Sequence, residues 1–355
     1  MSSEIHERAP IFFTSDNASG AHPTIMDAVQ RVNGGRVGAY GADPTTAEFT
    51  AVIKQHFGTR ATAYPVFNGT GANVTALAAA APRWGAIICA NSAHINVDET
   101  GSPERTQGLK LIPIDTPDGK LTPELVLPQL AVIGVEHHAQ PTVISISQTT
   151  EYGTCYTVAE ITALAKLAHS HNMRLHMDGA RLANAAATLQ TELRTLTSDA
   201  GVDILSLGGT KNGALAAEAV IVLNPELDHG MHYLRKQQTQ LASKMRFISA
   251  QLLALYGTDL WLENAGTANS MATRLAAGLA QLTELDPAFR ITQKVESNAV
   301  FATMPATARE QVAADFIFYD WPGLPNEVRL MCGWDSTVEE VDQLLAALEA
   351  ALTKS

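Results

Sequence analysis

Met173-Arg174-Leu175-His176-Met177-Asp178-Gly179-Ala180-Arg181 and, further on, Asp203-Ile204-Leu205-Ser206-Leu207-Gly208-Gly209-Thr210-Lys211-Asn212-Gly213 are the stretches that decide the fold class. Each opens with a short apolar run and ends in small or polar residues. Runs of this length read as strands buried on both faces. The same pattern recurs at 86–90, 109–114, 142–147 and 217–223, joining 173–177 and 203–207. Helical segments fit between several of them, at 122–133, 157–171 and 181–196. Strand–helix alternation predicts an α/β fold, with a mostly parallel sheet and helices on both faces.

Working outward, Asp43-Pro44 reads as a helix start, Asp43 capping and Pro44 in the first turn, with an end near Phe57 and Gly58. Gly69-Thr70-Gly71 opens an Ala-rich helix that stops near Pro82. Beyond about residue 229 the alternation changes. Helical stretches are expected at 229–256, 259–284 and 337–352, and strands at 289–295, 298–304 and 327–332. This predicts a large domain over 1–250 and a smaller C-terminal α/β domain over 251–355.

The chain has 355 residues, enough to bury a core without disulfides. Its formal charge of -12 argues against general affinity for nucleic acid or anionic membranes. The three cysteines, Cys89, Cys155 and Cys332, form no metal or redox spacing, which fits a cytoplasmic location. Residues 1–8 lack the apolar core of a signal peptide, and no apolar run reaches bilayer length.

Three features carry chemistry. Asn68-Gly69-Thr70-Gly71-Ala72-Asn73 is a small-residue turn at a helix start, where free N–H groups and the helix dipole favour an anion. Val74 occupies the third glycine position of a dinucleotide fingerprint, and no P-loop is present, so a phosphate without a nucleotide fits better. Asp178 ends a buried strand, where open α/β sheets place ligands, although a lone Asp there is more often a helix cap. Lys211 is framed by glycines directly after a strand. A desolvated lysine in such a place can form a Schiff base, against the alternative of an ordinary loop lysine. His94 follows one strand and His138 precedes another. His169, His171, His229 and His232 read as surface or helix-end residues, and no metal-ligand set emerges. An anion cup, a strand-end acid and a framed lysine are the three parts that pyridoxal 5'-phosphate requires.

With these residues in hand, the sequence resembles the low-specificity L-threonine aldolases, within the aspartate-aminotransferase-like, fold type I pyridoxal-phosphate enzymes. The resemblance runs over about 12–350 and rests on several segments. They are Ser15-Asp16-Asn17, Tyr40-Gly41-Ala42-Asp43-Pro44-Thr45, Asn68–Asn73 as quoted, Ser92-Ala93-His94, Met177–Arg181 and Gly209–Gly213. The Gly-Gly-Thr-Lys-Asn-Gly form and His94-Ile95-Asn96-Val97-Asp98-Glu99 look like the bacterial branch that also acts on phenylserine-type substrates.

The resemblance implies a seven-stranded sheet, a homotetramer built as a dimer of dimers, and cleavage of L-threonine, L-allo-threonine and their analogues to glycine and an aldehyde. It implies that Lys211 carries the cofactor, that Gly69, Thr70 and Gly71 bind its phosphate, and that Asp178 pairs with its ring nitrogen. His94 would stack on the ring, and His138 would be a second active-site histidine. Ser15, Arg181 and Arg329 would hold the substrate carboxylate, with Arg181 also beside the cofactor. Tyr40 and Arg246 would reach a site across a subunit interface, Tyr40 toward substrate and Arg246 toward cofactor. Asp98 stands where the family often has an aromatic residue in the side-chain pocket, and Gln148 replaces a frequent Glu. Two other readings share these parts: a different fold type I enzyme such as a β-eliminating lyase or aminotransferase, and a non-catalytic cofactor-binding module. No helix-turn-helix or basic arm supports the second.

Overall fold

The structure, a computed structural model, describes residues 10–352. The reading of residues 1–8 lies outside the described residues. In chain order the strands are β1 (Ile11–Phe12), β2 (Thr62–Val66), β3 (Gly85–Ala90), β4 (Lys110–Ile114), β5 (Gln140–Ser147), β6 (Arg174–Gly179), β7 (Ile204–Leu207), β8 (Glu218–Val222), β9 (Arg290–Ile291), β10 (Ala299–Thr303), β11 (Phe316–Ile317), β12 (Tyr319–Asp320) and β13 (Glu327–Met331). The large sheet has the order β2-β8-β7-β6-β5-β3-β4. From β4 to β7 the neighbours are parallel, whereas β8 runs antiparallel to both β7 and β2.

The apolar runs lack alternation because both faces are covered. Ile87, Val143, Ile204 and Val220 pack with helix Gly69–Ala80 on one side. Their sequence neighbours Ile88, Ile144, Leu205 and Ile221 pack into the opposite core with helices Val158–Ser170 and Leu182–Leu189. Side chains one residue apart point to opposite faces, so one run supplies two cores. Register aligns Ser147 with Asp178 and Asp178 with Ser206, so the strand ends open on a common edge.

Local signals explain the departures from expectation. β2 escaped the strand reading because it contains Pro65. It forms the sheet edge, where a missing N–H is tolerated. The 122–133 segment is an α-turn, Pro123–Val126, followed by a 3-10 stretch, Leu127–Val132, because Pro128 removes an α-helical donor. The 181–196 segment stops at Leu189, where Gln190 turns left-handed at φ 49°. The 229–256 stretch is two helices, Met231–Gln237 and Arg246–Tyr256, with Thr239 at φ 61° in the break.

The C-terminal part carries an antiparallel sheet in the order β12-β13-β10-β9, and β1 pairs in parallel with β11. The 250/251 division falls inside helix Arg246–Tyr256, whose Ile248, Leu252 and Leu255 belong to the large core. The change of core comes within helix Leu260–Leu285. Leu260, Trp261 and Ala265 pack with the large core, and Ala272, Leu275 and Leu279 with the small one. At 26 residues this helix is about 39 Å long, enough to serve both. Phe13 joins the small core, tying the N-terminal segment to it. Among the described residues no helix is long and apolar enough to cross a membrane.

Candidate active site

Asp178 is the next-to-last residue of β6. Asn73 Nδ2 donates to its Oδ2 at 2.8 Å and Ala180 N–H to its Oδ1 at 3.0 Å. Burial would raise this carboxyl. The Asn73 bond, the charge of Lys211, the Ala180 N–H and nearby His176 outweigh it and hold Asp178 below the ordinary carboxylate range.

Lys211 stands in the turn between β7 and β8. Glu218 Oε2 accepts from Gly209 N–H at 2.7 Å and Oε1 from Thr210 N–H at 3.3 Å. Asn264 donates to Asn212 O at 2.9 Å, and Tyr256 OH bonds Gly208 O. A side chain at Gly209 would strike the Ala217 carbonyl, so only glycine fits this close approach. The turn is therefore fixed on both sides of the lysine. Burial and the neighbouring Arg181 lower the Lys211 ammonium, opposed by Asp16, Asp178 and Glu218.

At the start of helix Gly69–Ala80, Asn68 Oδ1 accepts from Gly71 N–H at 2.7 Å, leaving Gly69 and Thr70 as the open part of the cup. A Cβ at Gly69 would meet open space, whereas one at Gly71 would run into the side-chain amide of Gln240. Gln240 comes from the unexpected break between helices, and its Oε1 accepts from Phe67 N–H at 3.0 Å. Asn73, which bonds Asp178, lies about one turn, roughly 6 Å, beyond Gly69 on the same helix.

His94 opens the short helix His94–Val97 and lines a cavity of 640 Å³ with Lys211, Ser15, Arg181, Arg329 and Asp98. Its Nδ1 lies 2.8 Å from Glu99 Oε1. The Glu99 bond raises the imidazole above its ordinary value. Burial and Lys211 oppose this, and Asp178 supports it. Glu151 also lines the cavity, its Oε1 accepting from His94 N–H at 2.9 Å and from Ser147 Oγ at 2.6 Å. Burial pushes the Glu151 carboxyl up despite these bonds, with Asp178 adding to the rise. Asp16, Asn73, Glu99, Glu151 and Glu218 had no assigned role in the sequence. Three of them, Asp16, Asn73 and Glu99, stood inside quoted motifs, but a single buried polar residue has no periodic signature.

The two arginines differ. Arg181 forks onto Asp16, Nε to Oδ2 at 2.7 Å and Nη2 to Oδ1 at 2.9 Å, so its bidentate face is occupied. Its Nη2 also approaches Met331 Sδ at 3.2 Å, so Nη1 is the nitrogen that stays open toward the cavity. Arg329 donates from Nη2 to Thr14 O at 2.9 Å, and its buried Nε has no partner. Its guanidinium lies 5.3 Å from the Tyr319 ring and 5.1 Å from that of Trp321. Burial and Arg181 lower Arg329 to about 10, opposed by Asp16, Tyr319 and Asp98. Ser15 caps the turn Asp16–Ala18 at the cavity wall.

Three expected residues lie elsewhere in this chain. His138 precedes β5 and lines a separate surface pocket with Lys110 and Gln129, at the opposite end of that strand from Ser147. It is not part of the Lys211 cavity of its own chain, because the full strand length separates them. Tyr40 is exposed, with the Lys236 ammonium 5.6 Å from its ring, and Arg246 bonds Gly34 O at 3.2 Å. Neither lines the Lys211 cavity of its own chain. Gln148 is fully buried and brackets the Tyr156 backbone with two bonds of 2.9 Å. Glu151, three positions on, is the nearest acid in sequence that lines the cavity.

These parts fit pyridoxal phosphate: an open cup beside Gly69 for the phosphate, a charged Asp178 for the ring nitrogen, and a buried, deprotonation-prone Lys211 for the aldehyde. Residues 13–305 match the beta-eliminating lyase family. A low-specificity L-threonine aldolase of Pseudomonas aeruginosa is 38% identical over 94% of this chain and 95% of its own. Another, from a Pseudomonas species, is 36% identical over 96% and 98%. The solved threonine aldolase of Leishmania major superposes with a TM-score of 0.91 at 29% identity, covering 97% of this chain and 100% of its own.

Proposed function

The chain belongs to the beta-eliminating lyase family and, within it, to the low-specificity L-threonine aldolases, and on that premise we propose that it cleaves L-threonine and L-allo-threonine to glycine and acetaldehyde with pyridoxal 5'-phosphate. The observation that carries this is the meeting of Lys211, His94 and Arg329 around one cavity, with Asp178 and the Gly69 cup behind it. The aromatic walls Tyr152, Tyr319 and Trp321 support aryl analogues such as L-phenylserine as further substrates.

When bound, the cofactor supplies an aldehyde that captures the substrate amine and a ring that accepts the electron pair of the breaking Cα–Cβ bond. Lys211 would hold the cofactor aldehyde, and its ammonium, lowered by burial and Arg181, gives up its proton more readily than an exposed lysine. Asp178, held ionised, keeps a proton on the ring nitrogen. Arg329 takes the substrate carboxylate, which turns the Cα–Cβ bond to the orientation for cleavage, and Arg181 Nη1 assists from its fixed position on Asp16. His94, bound to Glu99 through Nδ1, offers Nε2 to accept the β-hydroxyl proton. Gly69 and Thr70 would take the phosphate, while Gly71, its N–H held by Asn68, would close the cup behind them. Asp98, at the cavity mouth, tunes which β-substituents enter.

The exposed Tyr40 and Val37, with the half-buried Arg246, support association into a homotetramer in which Tyr40 and Arg246 approach a neighbour's site. The three buried, unpaired thiols support a cytoplasmic setting. The function is tested by product analysis with L-threonine. Glycine and acetaldehyde in equal amounts are expected, and ammonia with a 2-keto acid in their place would overturn it in favour of β-elimination.

A further inference from the structure

Glu99 is almost fully buried, yet among the described residues its carboxylate has no cation other than a charged His94 to pair with. Its Oε1 receives Asn73 Nδ2 at 2.8 Å and His94 Nδ1 at 2.8 Å. The same Asn73 nitrogen donates to Asp178 Oδ2 at 2.8 Å. Three short bonds thus connect Asp178, Asn73, Glu99 and His94 behind the cavity. The amide orientation follows from chemistry: both neighbours are carboxylate oxygens, so only the NH2 end of Asn73 can face them. Its two hydrogens are both used, one on each acid.

We propose that Glu99 is the positioning residue of the histidine, fixing the proton of neutral His94 on Nδ1 so that Nε2 is the free base in the cavity, and that Asn73 couples this pair to Asp178. A carboxylate facing Nδ1 demands a donor there, which selects the tautomer. As Nε2 takes up a proton, the Glu99 charge stabilises the imidazolium through a charge-assisted bond. Asn73 lets two buried carboxylates lie close together, because each gains an N–H rather than facing the other's charge. The charged groups facing His94 are Glu99 from its own segment, Asp178 from β6, Lys211 from the turn after β7, and Glu151, which holds its backbone N–H. Of these, only Glu99 touches the ring nitrogen.

The role of His94 as base rests on the proposed function, but its tautomer does not. The test is 15N NMR of histidine-labelled holoprotein, with the His94 signals assigned from a His94→Asn sample. The inference predicts a protonated Nδ1 and an unprotonated Nε2 in the neutral ring. An Nε2–H tautomer would overturn it, whether or not the protein cleaves threonine. An inactive protein with the Nδ1–H tautomer would sink the proposed function and leave this inference standing. In Glu99→Gln, the His94 titration and the acid limb of kcat/KM should both move to lower pH by about one unit or more, with kcat reduced roughly 10- to 100-fold and KM little changed. Glu99→Asp, which keeps the charge, should restore part of the shift. An unmoved His94 titration in Glu99→Gln would refute the inference. Should that variant not fold, the wild-type tautomer alone still decides it.

Discussion

Asp178 and Arg329 carry the sharpest residue-scale expectations. Asp178→Asn removes the charge that keeps the ring nitrogen protonated, and kcat should fall on the order of 100-fold or more while cofactor still binds. Steady-state kinetics with the cofactor absorbance followed in parallel checks this, and near-normal kcat would contradict it. Arg329→Met removes the cavity's open guanidinium and should raise KM for L-threonine about 10- to 100-fold, with a smaller effect on kcat. Arg181→Met should instead release Asp16 as a buried, unpaired carboxylate, so its main cost should appear as a lower Tm. At this scale the sequence was legible where a residue has a local frame. Lys211 between glycines and Asp178 at a strand end could be read directly. Arg181 was singled out in the sequence, but its pairing with Asp16 was not, since that pair joins positions far apart in the chain. Glu99 and Asn73 lay within quoted runs, yet their partners are visible only once helix Gly69–Ala80 and β6 are in place.

Among elements, the cup and the lysine turn make separate predictions. Gly71→Ala pushes aside the Gln240 amide and breaks its bond to Phe67, so cofactor affinity should fall roughly tenfold. Equilibrium binding of cofactor to the stripped protein measures this, and unchanged affinity would remove Gln240 from the account. Burial pushes Glu218, beneath the lysine turn, up to about 7, against the bonds from Thr210 and Gly209 and the charge of Lys211. Between the ordinary carboxylate value and about 7, the folded protein holds a proton that the unfolded chain has lost. The Glu218 contribution to stability therefore decreases as pH rises through that window. Cofactor-free protein should lose Tm from pH 5 to 7, and Glu218→Gln should flatten that loss. An identical slope in both proteins would contradict the assignment. Elements with flanking signals were legible: Asp43 caps its helix through Thr46 N–H at 2.8 Å, as Asp-Pro implied. The break at 238–245 was not, because its residues carry neither proline nor glycine to mark it.

Across the whole molecule, the site is assembled from both cores. The 13–16 segment leaves the small core at Phe13, passes its Thr14 carbonyl to Arg329, and delivers Asp16 to Arg181. Phe13→Ala should cost about 3–5 kcal/mol of stability. It should also raise KM by loosening Arg329, although Phe13 does not line the cavity. Denaturant melts and kinetics on one preparation test both, and a stability loss with unchanged KM would separate the segment from substrate binding. The alternating apolar runs made the α/β class legible because each strand is buried on two faces. The domain division was less so, since helix Leu260–Leu285 serves two cores without interruption. The net charge of -12 belongs to the whole chain and hides the local balance of the cavity, where Lys211, Arg181 and Arg329 stand beside Asp98, Glu151 and Asp320. The central claim is that this cavity holds the cofactor on Lys211. Borohydride reduction of the holoprotein followed by peptide mapping tests it most directly. A cofactor adduct on the peptide containing Lys211, lost in Lys211→Ala, is the result expected, and an adduct on another lysine, or persistence in that variant, would contradict it.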